Sequence, residues 1–188
     1  MKPSSQRNAS ANEPKVSTKP SSLTFWALTC TTRTNIRAYQ AANELYQEWD
    51  PQSPNLAHSY FNSGLAYEES KQYNDAIQFY AIASEHYETV NNDKEQVART
   101  MRNLGRTAQA QANYDQAIDS YRTAKDILKE VMPGTIRLVE ILRLLGDAYR
   151  LSPQHPTQEA VAYYHRQALD ILETLDSAVN EKHNIYLG

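Results

Sequence analysis

Three stretches decide the fold: Asn62-Ser63-Gly64-Leu65-Ala66-Tyr67, Asn103-Leu104-Gly105-Arg106-Thr107-Ala108 and Leu144-Leu145-Gly146-Asp147-Ala148-Tyr149. Their glycines stand 41 residues apart and are three of only five in 188 residues. The agreement continues downstream, where Tyr73-Asn74-Asp75-Ala76-Ile77 answers to Tyr114-Asp115-Gln116-Ala117-Ile118. Tyr80 likewise answers to Tyr121, and Ala83 to Ala124. Self-similarity at a fixed period of this size marks an array of stacked units.

Each unit reads as two helices. Ala57, Tyr60, Phe61, Gly64 and Tyr67 follow the i, i+3, i+4 spacing of one helical face. Ser70-Lys71-Gln72 is a polar turn, and a second helix carries Ala76, Ile77, Tyr80, Ala83 and Tyr87. A glycine inside a helix costs roughly 1 kcal/mol against alanine, so three at one period imply a packing need. Gly64 and Ala83 are expected where two antiparallel helices cross and a larger side chain would part the backbones.

This pattern resembles the tetratricopeptide repeat family, in the long-repeat form similar to kinesin light chain repeats. Residues 57–90 and 98–131 match well. The third unit, from Val139, matches through Gly146 and Tyr149 and then departs, with an insertion at Ser152-Pro153-Gln154-His155-Pro156. Its second helix is expected over Glu159–Leu175, with its rotation open because Ala160, Tyr164 and Ala168 fall one residue out of register. The resemblance implies an all-α, right-handed solenoid of about three 41-residue helix-turn-helix units.

In front, Tyr39 and Ala42 stand 41 residues before Tyr80 and Ala83, as the second helix of a half unit would. A 34-residue register through Trp26, Ala42 and Tyr46 is the alternative, and it puts Trp49 where a small residue belongs. The expected organisation is a disordered tail over 1–22, a capping helix or half repeat over 23–54, the repeat domain over 55–178 and a tail over 179–188. The longest apolar run, Phe25–Leu28, is far short of the roughly 18 residues a membrane helix needs. Residues 1–37 hold six basic residues, one acidic residue and twelve Ser or Thr. That composition suits a plain tail of a cytoplasmic protein or an organellar import signal.

Net charge is −3, with no global basic excess pointing to nucleic acid. One cysteine, Cys30, excludes an internal disulfide framework and reads as an inert thiol. The five histidines show no metal spacing, no glycine-rich phosphate loop is present, and Glu68-Glu69 is adjacent rather than facing. No catalytic constellation, cofactor site or metal site is visible, and the resemblance implies a protein that binds rather than catalyses.

Binding is expected on the concave face of the first helices. Counting from Ala57, Ala98 and Val139, positions 2, 5, 6, 9 and 12 give His58, Phe61, Asn62, Leu65 and Glu68 in unit one. Unit two gives Arg99, Arg102, Asn103, Arg106 and Gln109, and unit three Glu140, Arg143, Leu144, Asp147 and Arg150. In peptide-binding members of the family an Asn at position 6 holds the ligand backbone, which implies that role for Asn62 and Asn103. Arg99, Arg102 and Arg106 run along one helix with Arg143 at the level of Arg102, and arginine forks suit carboxylates. Two readings stay open: a groove for an extended acidic partner segment, built from Asn62, Arg99, Arg102, Asn103, Arg106, Arg143 and Arg150, or a solvated face neutralised by Glu140 and Asp147. Of the five-residue clamp that holds chaperone tails in the family only Asn103 is matched, which disfavours those partners.

The expected function is a non-enzymatic protein–protein adaptor. The alternative is a structural subunit or assembly factor docked in a larger complex through its ends and convex face. Ile171, Leu172 and Leu175 are expected to be partly uncovered at the rear, inviting self-association through the last unit.

Overall fold

The computed structural model describes residues 32–154 and 158–187. The stretch expected as a tail (1–22), Trp26 and Cys30 lie outside them. Seven helices follow one another among the described residues. They are α1 (Thr32–Trp49), α2 (Pro54–Glu69), α3 (Tyr73–Thr89), α4 (Lys94–Ala110), α5 (Tyr114–Val131), α6 (Ile136–Leu151) and α7 (Gln158–Leu187). Each packs chiefly against its neighbours in sequence, as a solenoid requires.

The glycines sit where the rings demand them. A Cβ on Gly64 would lie 2.6 Å from the Tyr80 ring, one on Gly105 2.5 Å from Tyr121, and one on Gly146 2.7 Å from Nε2 of His165. Ala83, Ala124 and Ala168, each three residues after the ring, are buried in the same crossings. In the third pair the ring is therefore His165, and the rotation left open by the sequence is fixed by His165 and Ala168 together.

The turns explain the displaced register. Lys71 (φ 59°) and Ala112 (φ 59°) both take the left-handed conformation. Around them Gln72 N–H donates to the Tyr67 carbonyl and Lys71 N–H to that of Glu68, each at 2.9 Å, and Asn113 and Ala112 repeat both bonds. This is the helix-ending motif that satisfies the last free carbonyls. The equivalent third position is Pro153, which cannot take positive φ. Its predecessor Ser152 is extended (ψ 120°), as a residue before proline is driven to be. The chain needs a longer turn, so α7 starts 44 residues after α5 whereas α5 starts 41 after α3.

One expectation is corrected. The last helix runs to Leu187, well beyond Leu175, so 179–187 continues α7 and is not a separate tail. Ile171, Leu172 and Leu175 are half-buried, so they stay partly uncovered as expected, the first two packing against the core under α6. Among the described residues of α7 the exposed large apolar side chains are Tyr163 and Leu169.

At the front, Ala42 is buried as completely as Ala83 and Ala124, while Trp49 is 73% exposed. Gln40 donates to the Tyr67 hydroxyl at 2.8 Å, and Arg122 donates to that of Tyr149, the same pairing two units on. Helix α1 thus packs as a second helix does. Pro54, at the first position of α2, loses no helical hydrogen bond there.

Candidate functional site

Helices α2, α4 and α6 are the first helices of the units, and their shared face is the concave one in arrays of this kind. Side chains meet across neighbouring units on that face. The Arg102 Nη1 donates to Glu140 Oε2 at 3.0 Å, joining α4 to α6. Arg106 Nη2 lies 3.8 Å from Glu68 Oε1, joining α4 to α2. The guanidinium of Arg99 lies 4.6 Å from the centre of the Phe61 ring. Within α6, Asp147 serves both Arg143 (2.8 Å) and Arg150 (3.3 Å).

Buried tyrosines hold this layer from below. Tyr80 donates to Glu68 Oε2 at 2.7 Å, leaving Oε1 for Arg106. Tyr121 donates to Gln109 Oε1 at 3.2 Å. Burial, helped for Tyr80 by the Glu68 carboxylate, pushes both hydroxyls above the ordinary tyrosine range, so they remain donors.

Two hollows open between α4 and α6. One of about 210 Å³ has Leu128 and Ile141 in its wall and Arg99, Arg102, Arg137 and Glu140 around it. The other, about 320 Å³, is lined by Arg106, Gln109, Tyr121, Leu144 and Leu151. The corresponding place between α2 and α4 has the Phe61 and Tyr87 rings at the positions of Arg102 and Leu128.

The expected residues fall as follows. Arg99, Arg106, Arg143 and Arg150 are exposed, and Arg102 and Asn62 are half-buried. Asn103 is only 4% exposed, and its Oδ1 accepts from Arg102 Nη2 at 3.4 Å. The sequence indicated the pairing of Arg143 and Arg150 within α6. It named Glu140 as a neutralising group but not its reach across units to Arg102, and it missed Glu68 beside Arg106 and the Phe61 ring beneath Arg99. No cluster of three potential metal ligands occurs among the described residues, and none of their helices is long and apolar enough to cross a membrane.

Residues 71–130 match the family model for the tetratricopeptide repeat. The fold is a tetratricopeptide-repeat solenoid. Among solved structures, the chain is similar to BtubC (BKLC) from P. vanneervenii at a TM-score of 0.73 and 16% identity. The likeness covers 84% of this chain, which spans 64% of that one. It is also similar to nearly identical TPR-like repeats, ascribed to a kinesin light chain, from Podosopora anserina. There the TM-score is 0.65 and the identity 14%, over 82% of this chain and 74% of that one. MamA follows at a TM-score of 0.59 and 18% identity, over 85% and 81%. No curated protein matches the chain. At these identities the structural likeness is one of fold. The match covers about a third of the chain; tetratricopeptide repeats are typically interaction scaffolds, and the match supports a protein–protein interaction role.

Proposed function

We propose that the face of α2, α4 and α6 binds an extended acidic segment of a partner protein, making this chain a non-enzymatic adaptor. One observation carries the reading. Five arginines (Arg99, Arg102, Arg106, Arg143 and Arg150) share this face with three carboxylates (Glu68, Glu140 and Asp147), in a chain whose net charge is −3. The face is locally positive while the whole is negative. Arg99 has no carboxylate partner among the described residues; it leans on Phe61 and donates to Gln96. The internal pairs do not block entry. Exposed ion pairs contribute about 0–1 kcal/mol, so an incoming carboxylate exchanges with Glu68 or Glu140 at small cost. Until then those carboxylates hold the guanidinium forks in place.

The test is fluorescence anisotropy with a short glutamate-rich peptide and its lysine-rich counterpart. The glutamate peptide binds, more weakly as salt rises. Arg99→Glu with Arg106→Glu reduces that affinity about tenfold or more while far-UV circular dichroism stays helical. Equal binding of both peptides, or affinity that survives the double reversal, contradicts the reading.

A further inference from the structure

Helix α7 is the odd member of the stack. It has 30 residues against 16 in α6, so about 45 Å of helix lies beside a partner about 24 Å long. It also lacks the cover that second helices receive elsewhere. Leu169 occupies the place of Ser84 in the first unit, which is 3% exposed, and of Lys125 in the second, whose side chain is 16% exposed. Leu169 itself is 58% exposed. A branched apolar side chain stands in water where the earlier units keep a covered polar one.

The surroundings of Leu169 say what covers it. Ala162, Arg166, Leu169, Glu173 and Asp176 recur at spacings of four and three, form one stripe, and are all exposed. Neither Arg166 nor Glu173 has an ion pair among the described residues, although Asp170 is one turn from Arg166 on the same helix. When this stripe is laid antiparallel on a copy of itself with Leu169 against Leu169, the flanking layers bring Arg166 opposite Glu173 on both sides. The outer layers bring Ala162 opposite Asp176. A two-fold interface demands such reciprocity, because residue i must meet j while j meets i. Opposite charges flanking an apolar seam are also what sets partner and orientation in paired helices.

We infer that α7 is a homodimerisation helix, pairing antiparallel with α7 of a second copy about a two-fold axis at Leu169. The Leu169 side chains meet at the axis and two Arg166–Glu173 pairs close either side. This inference rests on α7 alone and stands whether or not the α2–α4–α6 face binds an acidic segment.

Sedimentation velocity across a concentration series tests it, with circular dichroism as the check on folding. Wild type shows a reversible monomer–dimer equilibrium. Arg166→Glu alone puts Glu opposite Glu twice, Glu173→Arg alone puts Arg opposite Arg twice, and each weakens the dimer about tenfold or more. An equimolar mixture of the two variants restores both pairs and recovers the dimer as a heterodimer, and one chain carrying both changes recovers the homodimer. Recovery on mixing distinguishes pairing from damage to the fold. A wild type that stays monomeric up to high micromolar concentration, or a dimer indifferent to the single reversals, overturns the inference.

Discussion

Arg106 on α4 reaches back to Glu68 on α2 at 3.8 Å, and Tyr80 holds the other oxygen of that carboxylate at 2.7 Å. The same separation, 38 residues, joins Arg102 to Glu140 and Phe61 to Arg99. It is three short of the 41-residue spacing of the glycines, because facing side chains on adjacent first helices are offset by about one helical turn. Each first helix is thereby linked to the next through pairs that lie on the proposed binding face itself.

Those links contribute little to folding. Arg102→Glu sets a like charge opposite Glu140 and should lower unfolding free energy by no more than about 1 kcal/mol, since the pair is partly solvated. Adding Glu140→Arg should recover the loss. Urea unfolding of the four members of the cycle measures it; a loss of several kcal/mol would make the pair a structural element rather than part of an exchangeable face.

The crossings are the opposite case. Gly105→Leu must push Tyr121 out of a contact that already leaves no room for a Cβ, and overpacking of this kind costs about 1–3 kcal/mol. Thermal unfolding should drop by several degrees. A Tm equal to wild type would mean that the α4–α5 crossing is looser than the geometry says.

This division explains what could be read in advance. Gly64, Gly105 and Gly146 announce the stack because a missing side chain leaves no cheaper explanation inside a helix. The helices, the turn at Lys71 and the half unit at Tyr39 and Ala42 follow from the same register. The partners of Arg102 and Arg106 were legible only in part: Glu140 stands out as a neutralising group, but that it reaches Arg102, and Glu68 reaches Arg106, from one unit away depends on packing between units. Asn103 shows the same limit. Its residue type suits a backbone clamp, but its burial against Arg102 depends on packing that spacing alone does not reveal.

Ala112 holds positive φ without being glycine, which costs about 1–2 kcal/mol in the left-handed region. Ala112→Gly removes that strain and returns about 0.4–1 kcal/mol of it as unfolded-chain entropy. The expected net gain is about 0.5–1 kcal/mol, read as a higher denaturation midpoint at unchanged slope. Destabilisation by that substitution would contradict the turn geometry.

Burial lifts the hydroxyls of Tyr80, Tyr87 and Tyr121 above the ordinary tyrosine value, so the folded state keeps protons that the unfolded state releases first. Their contribution is complete below about pH 10 and is lost as pH rises beyond it, at roughly 4 kcal/mol per pH unit for three retained protons. Absorbance of tyrosinate should show these three ionising together with loss of helix. Ionisation of all thirteen tyrosines near pH 10 with the helices intact would refute it.

The central claim is that the face of α2, α4 and α6 is where a partner segment binds. Amide chemical-shift mapping by NMR during titration with a short glutamate-rich peptide addresses it residue by residue. The account predicts shifts concentrated around Arg99, Arg102, Arg106 and Arg143, spreading to Asn62 and Leu144 and sparing the outer stripe of α7. Shifts confined to α3, α5 or α7, or none at saturating peptide, would contradict it.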